Sequence, residues 1–426
     1  MSENLNDLSN YLSKGMADLL LGKSFIDHAM NRLDPALKFG AMAIRIDNFD
    51  KNDFDDNKDV SNQKGKNDLH AHAADAVDTV CRCENGLLGQ LDNDTLGCFL
   101  PEKSVSFCLE TAVKIQKNLE KIQTGTVSIG IAVYPFVDYK KSLILENALK
   151  ALDHAAFFGP GSIVAFDAVS LNISADRFYQ QGDIDNTVKE FKRALLVDPL
   201  NYNIHNSLGV CYGTLGDYEK AVEEFETALW LEPGEIMALY NKGVANLLRS
   251  NKDKALEYFM EAYGIKEDMF EPVFQIGRLH FESDEFETGK EFFEKATRLK
   301  PESAMAFRYL GECCDAVGLT DEATAAYKNA VKQNPNDAAS LSALGRLFDI
   351  QDENIEIAEI FCRKSVEISP DKGLFRHRLG LILLKQGKLE DALKEFQAAK
   401  ALEHDSDSFI EDIKDQIART TSQTAL

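Results

Sequence analysis

Four small constellations in this chain carry residue types that can do chemistry. His70-x-His72, with Asp68 and Asp75 beside it, offers the imidazole and carboxylate donors that transition metals take. On a helix, residues two apart point in different directions, so an ordinary surface helix is the preferred reading. Cys81-x-Cys83 is read on a strand near Thr79–Glu84, where a period of two turns both thiols to one face. With no second cysteine pair at metal spacing, core packing is expected there. The acids from Asp47 to Asp59 share the composition of a calcium loop but lack its D-x-D-x-D-G-x5-E spacing, so a solvated loop is expected. Gly159-Pro160-Gly161 reads as a turn. No G-x-S-x-G, H-E-x-x-H or G-x4-G-K-[ST] motif occurs. The expectation is therefore no catalysis, no metal and no cofactor.

The elements that would position any site come next. The chain has 426 residues, 44% hydrophobic and 27% charged, with a formal net charge of -23. That length allows two or three domains. The negative charge argues against nucleic acid and against an anionic membrane surface, because phosphates would be repelled. No apolar run is long enough to span a bilayer, and the first residues are too polar for a secretion signal. The eight cysteines show no recurring paired spacing, which points to a reducing, cytoplasmic setting.

From about Ala168 the sequence is periodic. Gly209, Gly243, Gly277, Gly311 and Gly345 stand 34 residues apart, and Gly380 follows after one extra residue. Pro199, Pro233, Pro301, Pro335 and Pro370 keep the same rhythm. Within Asn201 to Pro233, Gly216-Asp217 makes a turn between two amphipathic stretches, and Ala221, Phe225 and Ala228 fall on one helical face. The A-x3-F-x2-A pattern recurs at Ala255/Phe259/Ala262, Ala323/Tyr327/Ala330 and Ala392/Phe396/Ala399.

This period and these residues resemble the tetratricopeptide repeat. The resemblance implies seven helix-turn-helix units over residues 168–404 and a capping helix with a tail over 405–426. It also implies stacking into an all-α superhelical solenoid. The first helix of each unit would line a concave wall through its second, fifth, ninth and twelfth positions. Those positions supply Asn203, Asn206, Tyr240, Phe274, Arg278, Arg308, Glu312, Arg346 and His377. Arg278, Arg308 and Arg346 would form a basic strip for a carboxylate, with Tyr240 and Phe274 anchoring an apolar side chain. The alternative is that Arg308 pairs with Glu312 one turn on and its neighbours do likewise. The lysine and asparagine pattern of the family's carboxylate clamp is absent.

Residues 1–167 alternate between helices and strands. Helices are expected over 2–22, 24–38, 69–80, 103–121 and 143–157, and a polar mobile loop over 50–68. Strands are expected at 39–47, 79–84, 87–90, 95–100, 126–135 and 163–166. That order indicates an α+β domain, a mixed or antiparallel sheet with helices on one side. At TVSIGIAVYP, Thr126–Pro135, the domain resembles the GGDEF domain of diguanylate cyclases, which join two GTP molecules with two metal ions. Asp18, Leu20 and Gly22, the strand Ile44–Phe49, Leu100-Pro101 and Leu149–Phe157 are similar to further family segments.

The family's chemistry is missing at the matching positions. Its signature falls on Asp92-Asn93-Asp94-Thr95-Leu96, so both glycines and one acid are replaced. The metal-binding acid of the first strand falls on Arg45, which would repel a cation. The guanine-reading pair falls near Asp53 and Phe54. Arg45, Asp47 and Asp94 remain as a vestigial nucleotide site.

Together these readings predict a non-catalytic cytoplasmic adaptor. Its array would bind a protein partner through an extended acidic or C-terminal segment, and the degenerate domain would dock or dimerise. The alternative is a sensor that binds GTP or cyclic di-GMP without turnover. The linker from Asp167 to about Ser174 is short enough that the two parts should touch.

Overall fold

The computed structural model describes residues 19–47, 74–92, 94–122, 126–351 and 354–424. His70-x-His72, the loop over 50–68 and most of the helix expected over 2–22 lie outside them. The chain divides into two compact units, Met1–Leu231 and Glu232–Leu426. The first holds a small α/β region and two helical pairs.

Six strands form one sheet: β1 (Leu20–Leu21), β2 (Phe39–Ile46), β3 (Leu87–Gln90), β4 (Thr95–Pro101), β5 (Val127–Tyr134) and β6 (Ile163–Ala165). Their order is β1-β3-β4-β2-β5-β6. The central β2 is antiparallel to both β4 and β5, with Ala43 opposite Gly97 on one side and Gly130 on the other. The outer pairs β1–β3 and β5–β6 are parallel. The sheet is mixed, as expected, but helices cover both faces rather than one.

On one face, Met42, Ile44, Leu96, Cys98, Ile129 and Ile131 pack against two helices, α2 (residues 74–83) and α3 (Val105–Ile122). On the other, Phe25 of α1 (Gly22–Leu33) lies directly over Gly89 and Gly97. The backbone of α4 (Ile144–Ala155) at Ala148 and Leu152 sits against Gly130, where no side chain would fit. The uninterrupted burial of Phe39 to Ile44 follows directly, because a strand covered on both faces needs apolar residues at every position.

Two expectations are corrected here. Leu20–Leu21 is a strand, not the end of a helix. Residues 79–83 belong to α2, not to a strand: Ala74, Val77 and Cys81 recur at helical spacing and face the sheet. Cys81 is therefore buried while Cys83 is exposed, and a disulfide joins Cys81 to Cys98 of β4 where packed thiols were expected.

The α/β region touches the first helical pair, as the short linker implies. Helix α5 (Ala168–Gln180) starts where Asp167 Oδ1 accepts the Ser170 N–H at 2.8 Å, a side-chain cap for an otherwise unpaired donor. Lys150 Nζ of α4 donates to Glu190 Oε2 of α6 (Ile184–Val197) at 2.7 Å, and the two side chains are 8% and 5% exposed. Glu190 Oε1 also accepts from Arg193 at 2.9 Å. Arg177 of α5 reaches Asp153 of α4 at 2.8 Å.

Each repeat is an antiparallel helical pair built by the same local devices. In the first unit α7 (Tyr202–Thr214) pairs with α8 (Tyr218–Leu231). The second unit holds α9 (Ile236–Leu248) with α10 (Lys252–Ile265), α11 (Phe270–Glu282) with α12 (Phe286–Leu299), and α13 (Ala304–Ala316) with α14 (Thr320–Gln333). It continues with α15 (Ala338–Ile350) and α16 (Ile355–Ile368), then α17 (Gly373–Lys385) and α18 (Leu389–Ala401). Asp183, Asn201, Ser303, Asp337 and Asn354 cap helix starts with their side chains.

The periodic glycine has a steric cause. At Gly243 a Cβ would lie 2.5 Å from the Phe259 ring, so the helices meet this closely only without a side chain. Phe259, Phe293 and Phe396 are fully buried, each contributing about 2 kcal/mol of apolar burial. The last helix, α19 (Asp407–Thr424), places Ile410 and Ile413 in a cluster with Leu379, Leu383 and Phe396. It covers the apolar face that a further repeat would otherwise bury.

Candidate functional site

Asp47 follows β2 and carries the acidic chemistry of the α/β region. Its Oδ2 accepts Thr126 Oγ1 at 2.8 Å and the Gly161 N–H at 2.7 Å, and its Oδ1 accepts Ser128 Oγ at 2.7 Å. These bonds tie β2 to β5 and to the glycine turn before β6. Asp94 is buried, and its Oδ1 accepts Thr95 Oγ1 at 2.8 Å. Asp92 accepts the Asp94 N–H at 3.1 Å. Burial first, and then Asp94, pushes the Asp92 carboxyl up. Arg45 sits opposite Thr95 and Ser128 in the sheet register. Among the described residues, no group of three His, Cys, Asp or Glu side chains is placed to hold a metal ion. The expected vestigial site is thus a set of carboxylates held by the fold's own donors.

The second unit contains an open cavity of about 560 Å³. Its walls come from α11, α12, α13, α14, α15 and α17. Phe281, Phe286, Leu374 and Phe375 are apolar, Glu312, Asp315, Arg346 and Arg378 carry charge, and Ala316, Tyr327, Ala339 and Ala343 complete the lining. Arg346 Nη2 is in contact with Asp315 Oδ2. Arg308 lies 3.6 Å from Glu312 and 3.7 Å from Asp337. Burial pushes the Glu312 carboxyl up, although Arg308 pulls it down. Arg378 differs from these. Its Nη1 donates to Ser342 Oγ at 3.2 Å, and among the described residues no carboxylate is ion-paired with it. Burial first, and then the Arg346 guanidinium, pulls its pKa down.

The predicted wall is only partly realised. Arg346 and Glu312 line the cavity. Phe274 does not: it is 8% exposed, between the Phe270, Phe293 and Tyr309 rings. Tyr240 leans on Phe259 with ring centroids 5.6 Å apart. His377 faces α18 and α19, against Phe396, His404 and Phe409, with Nδ1 2.8 Å from Ser406 Oγ. Arg278 reaches Glu282 at 3.4 Å. Asn206 is half-buried on α7 in the first unit. The expected strip of free arginines is therefore a set of ion pairs made one turn on or with the first helix of the adjacent repeat.

The expected residues and the cavity residues differ by their place relative to the repeat glycine. Asn206, Tyr240, Phe274, Arg308 and His377 all stand three residues before their unit's glycine. The cavity is lined instead by residues two before it (Ala343, Arg378), one after (Glu312, Arg346) and four after (Phe281, Asp315). Arg378 is the main residue missed. Leu374 four residues earlier was its signal, since the two share a helix face.

Residues 174–235, 212–272 and 274–338 match the tetratricopeptide repeat family. The match does not reach into the α/β region. Among solved structures, similarity extends to YrrB, described as a TPR protein with an unusual peptide-binding site, at 19% identity. That likeness covers 44% of this chain and 96% of YrrB, with a TM-score of 0.40. MamA is 25% identical over 38% of this chain and 96% of its own, with a TM-score of 0.36. A tetratricopeptide repeat protein from Parabacteroides merdae is 19% identical over 58% and 96%, with a TM-score of 0.41. No curated protein matches the chain. No described helix is long and apolar enough to cross a membrane. The paired helices over residues 174–338 are thus similar to tetratricopeptide repeats.

Proposed function

We propose that this chain is a non-catalytic adaptor that captures a protein partner, one extended segment of which enters the cavity of the second unit. The observation that carries this is the cavity itself, at about 560 Å³ large enough for a few side chains. It mixes aromatic walls with a few charged groups, as peptide sites do. The α/β region, in this reading a degenerate cyclase-like module, is a docking or dimerising element joined to the first repeats through Lys150 and Glu190.

The test uses the full chain as bait for a displayed peptide library. Ala339 lines the cavity from α15, so Ala339→Trp fills the space from a half-buried position. Wild type should enrich a peptide family that Ala339→Trp does not retain. Equal enrichment by both proteins, with the helical spectrum intact, would place binding elsewhere.

A further inference from the structure

The seam between the α/β region and the first helical pair holds two polar side chains that the fold leaves without partners. Asn147 of α4 is 1% exposed, yet neither its Nδ2 nor its Oδ1 has a hydrogen-bond partner among the described residues. Lys150 and His154 stand one and two turns further along the same side of the helix. Lys150 meets Glu190 of α6, and His154 Nδ1 lies 3.3 Å from Ser170 Oγ of α5. Asn147 faces the first helical pair as they do. Tyr139, ahead of α4, carries the Arg193 guanidinium of α6 over its ring at 5.1 Å, and its buried hydroxyl is also without a partner.

A buried amide or hydroxyl in that state has given up its bonds to water and gained none in exchange. Both groups become satisfied if the two surfaces part. Other contacts across the seam are polar as well: the Lys150–Glu190 and Arg177–Asp153 pairs and the His154–Ser170 contact. A buried ion pair regains in attraction roughly what it loses in hydration, and polar contacts between parts of one chain are the kind that separate and rejoin. The link from β6 to α5 is only Phe166-Asp167, so such a motion is a hinge and not free tumbling.

We propose that this seam is a conformational switch: the α/β region swings off the first helical pair at Asp167, wetting Asn147 and Tyr139 and baring the α4 face that carries Lys150 and His154. The inference concerns the first unit alone and does not depend on what the repeat cavity binds.

The experiment is labelling of the full chain with N-ethylmaleimide, read thiol by thiol in a mass spectrometer. Ser170 is wholly buried at the seam, so Ser170→Cys puts there a thiol that reacts only when the seam opens. Cys108 in the sheet core and Cys211 in α7 are buried free thiols that report wider unfolding in the same sample. The introduced thiol should react about tenfold faster than either, or more. In that background Asn147→Leu should slow the reaction about tenfold, because the leucine is better served by the closed seam. Tyr139→Phe removes only a hydroxyl, should slow it severalfold, and covers the case of a leucine that does not fit. Glu190→Leu strands Lys150 and should quicken it. Labelling at Ser170→Cys no faster than at Cys108 and Cys211 overturns the proposal, since the seam then parts only on unfolding. A rate that neither Asn147→Leu nor Tyr139→Phe lowers overturns it too, and assigns the two groups to buried water in a closed seam.

Discussion

Asp47 and Arg378 are both half-buried ionisable side chains, one in the α/β region and one in the repeat cavity. The fold serves them in opposite ways. Asp47 accepts three short hydrogen bonds from three separate places in the chain. Arg378 has one neutral acceptor, with the Arg346 guanidinium and the Asp315 carboxylate acting on it in opposite directions. The first arrangement is complete without a ligand and reads as structure. The second is less complete and borders the cavity. Charge and position alone would have pointed to Asp47, one of the residues of the expected vestigial site. Satisfaction of the donors and acceptors separates the two.

Several variants would sharpen or break that contrast. The largest effect belongs to the buried pair at the base of the array. Glu190→Leu removes the acid from Lys150, which is itself almost wholly buried. Urea denaturation should show a loss of about 3 kcal/mol. A loss below about 1 kcal/mol would mean that Lys150 finds water or Glu146 instead, and that completeness of pairing is a poor guide here.

Asp47→Ala comes next. It strands two hydroxyls and one backbone N–H, and should lower stability by about 2 kcal/mol. Hydrogen exchange should quicken most at β5 and in the turn before β6. An unchanged exchange pattern would remove Asp47 from the structural class.

Glu359 offers a carboxylate of the same served kind in the second unit. Burial opposes its ionisation, but hydrogen bonds from Lys388 and Arg363 outweigh burial and hold its pKa down at about 2, from 4.5. A folded pKa below the unfolded value stabilises the fold fully above pH 4.5. That stabilisation drains away as pH falls towards 2. Glu359→Gln should flatten this part of the acid denaturation curve, and an unaltered slope would assign the acid sensitivity to other carboxylates.

The smallest effect is the most diagnostic. Arg378→Met should change stability by less than about 1 kcal/mol, or raise it, because it removes a cation with one neutral acceptor from a partly buried position. A large loss would make Arg378 a structural ion after all.

Much of the fold was legible from local signals. Caps, turn glycines and the glycine–phenylalanine contact all act within one repeat, so the 34-residue period announces them. The strands β2, β4 and β5 are legible for the same reason. Some misread elements also carried readable cues. The unbroken apolar run of β2 implies cover on both faces, and Ala74, Val77 and Cys81 keep a helical period that the Cys-x-Cys pattern obscured.

The candidate site was less legible. Of the residues expected on the concave wall, Glu312 and Arg346 line the cavity and Phe274 and His377 do not, while Arg378 lines it without having been expected. One residue along a helix is a rotation of about 100°, and the pattern within a repeat does not fix how its first helix is turned against the next pair. Neighbouring side chains fix it: Phe274 turns in because Phe293 and Tyr309 receive it, and His377 because Phe396 and Phe409 do. The sequence by itself determined the helical pairs, their period, the strands and the acidic character of the chain, since each depends on residues close in the chain. Only the tertiary structure decided which charges are matched with which, because that depends on groups brought together from separate repeats.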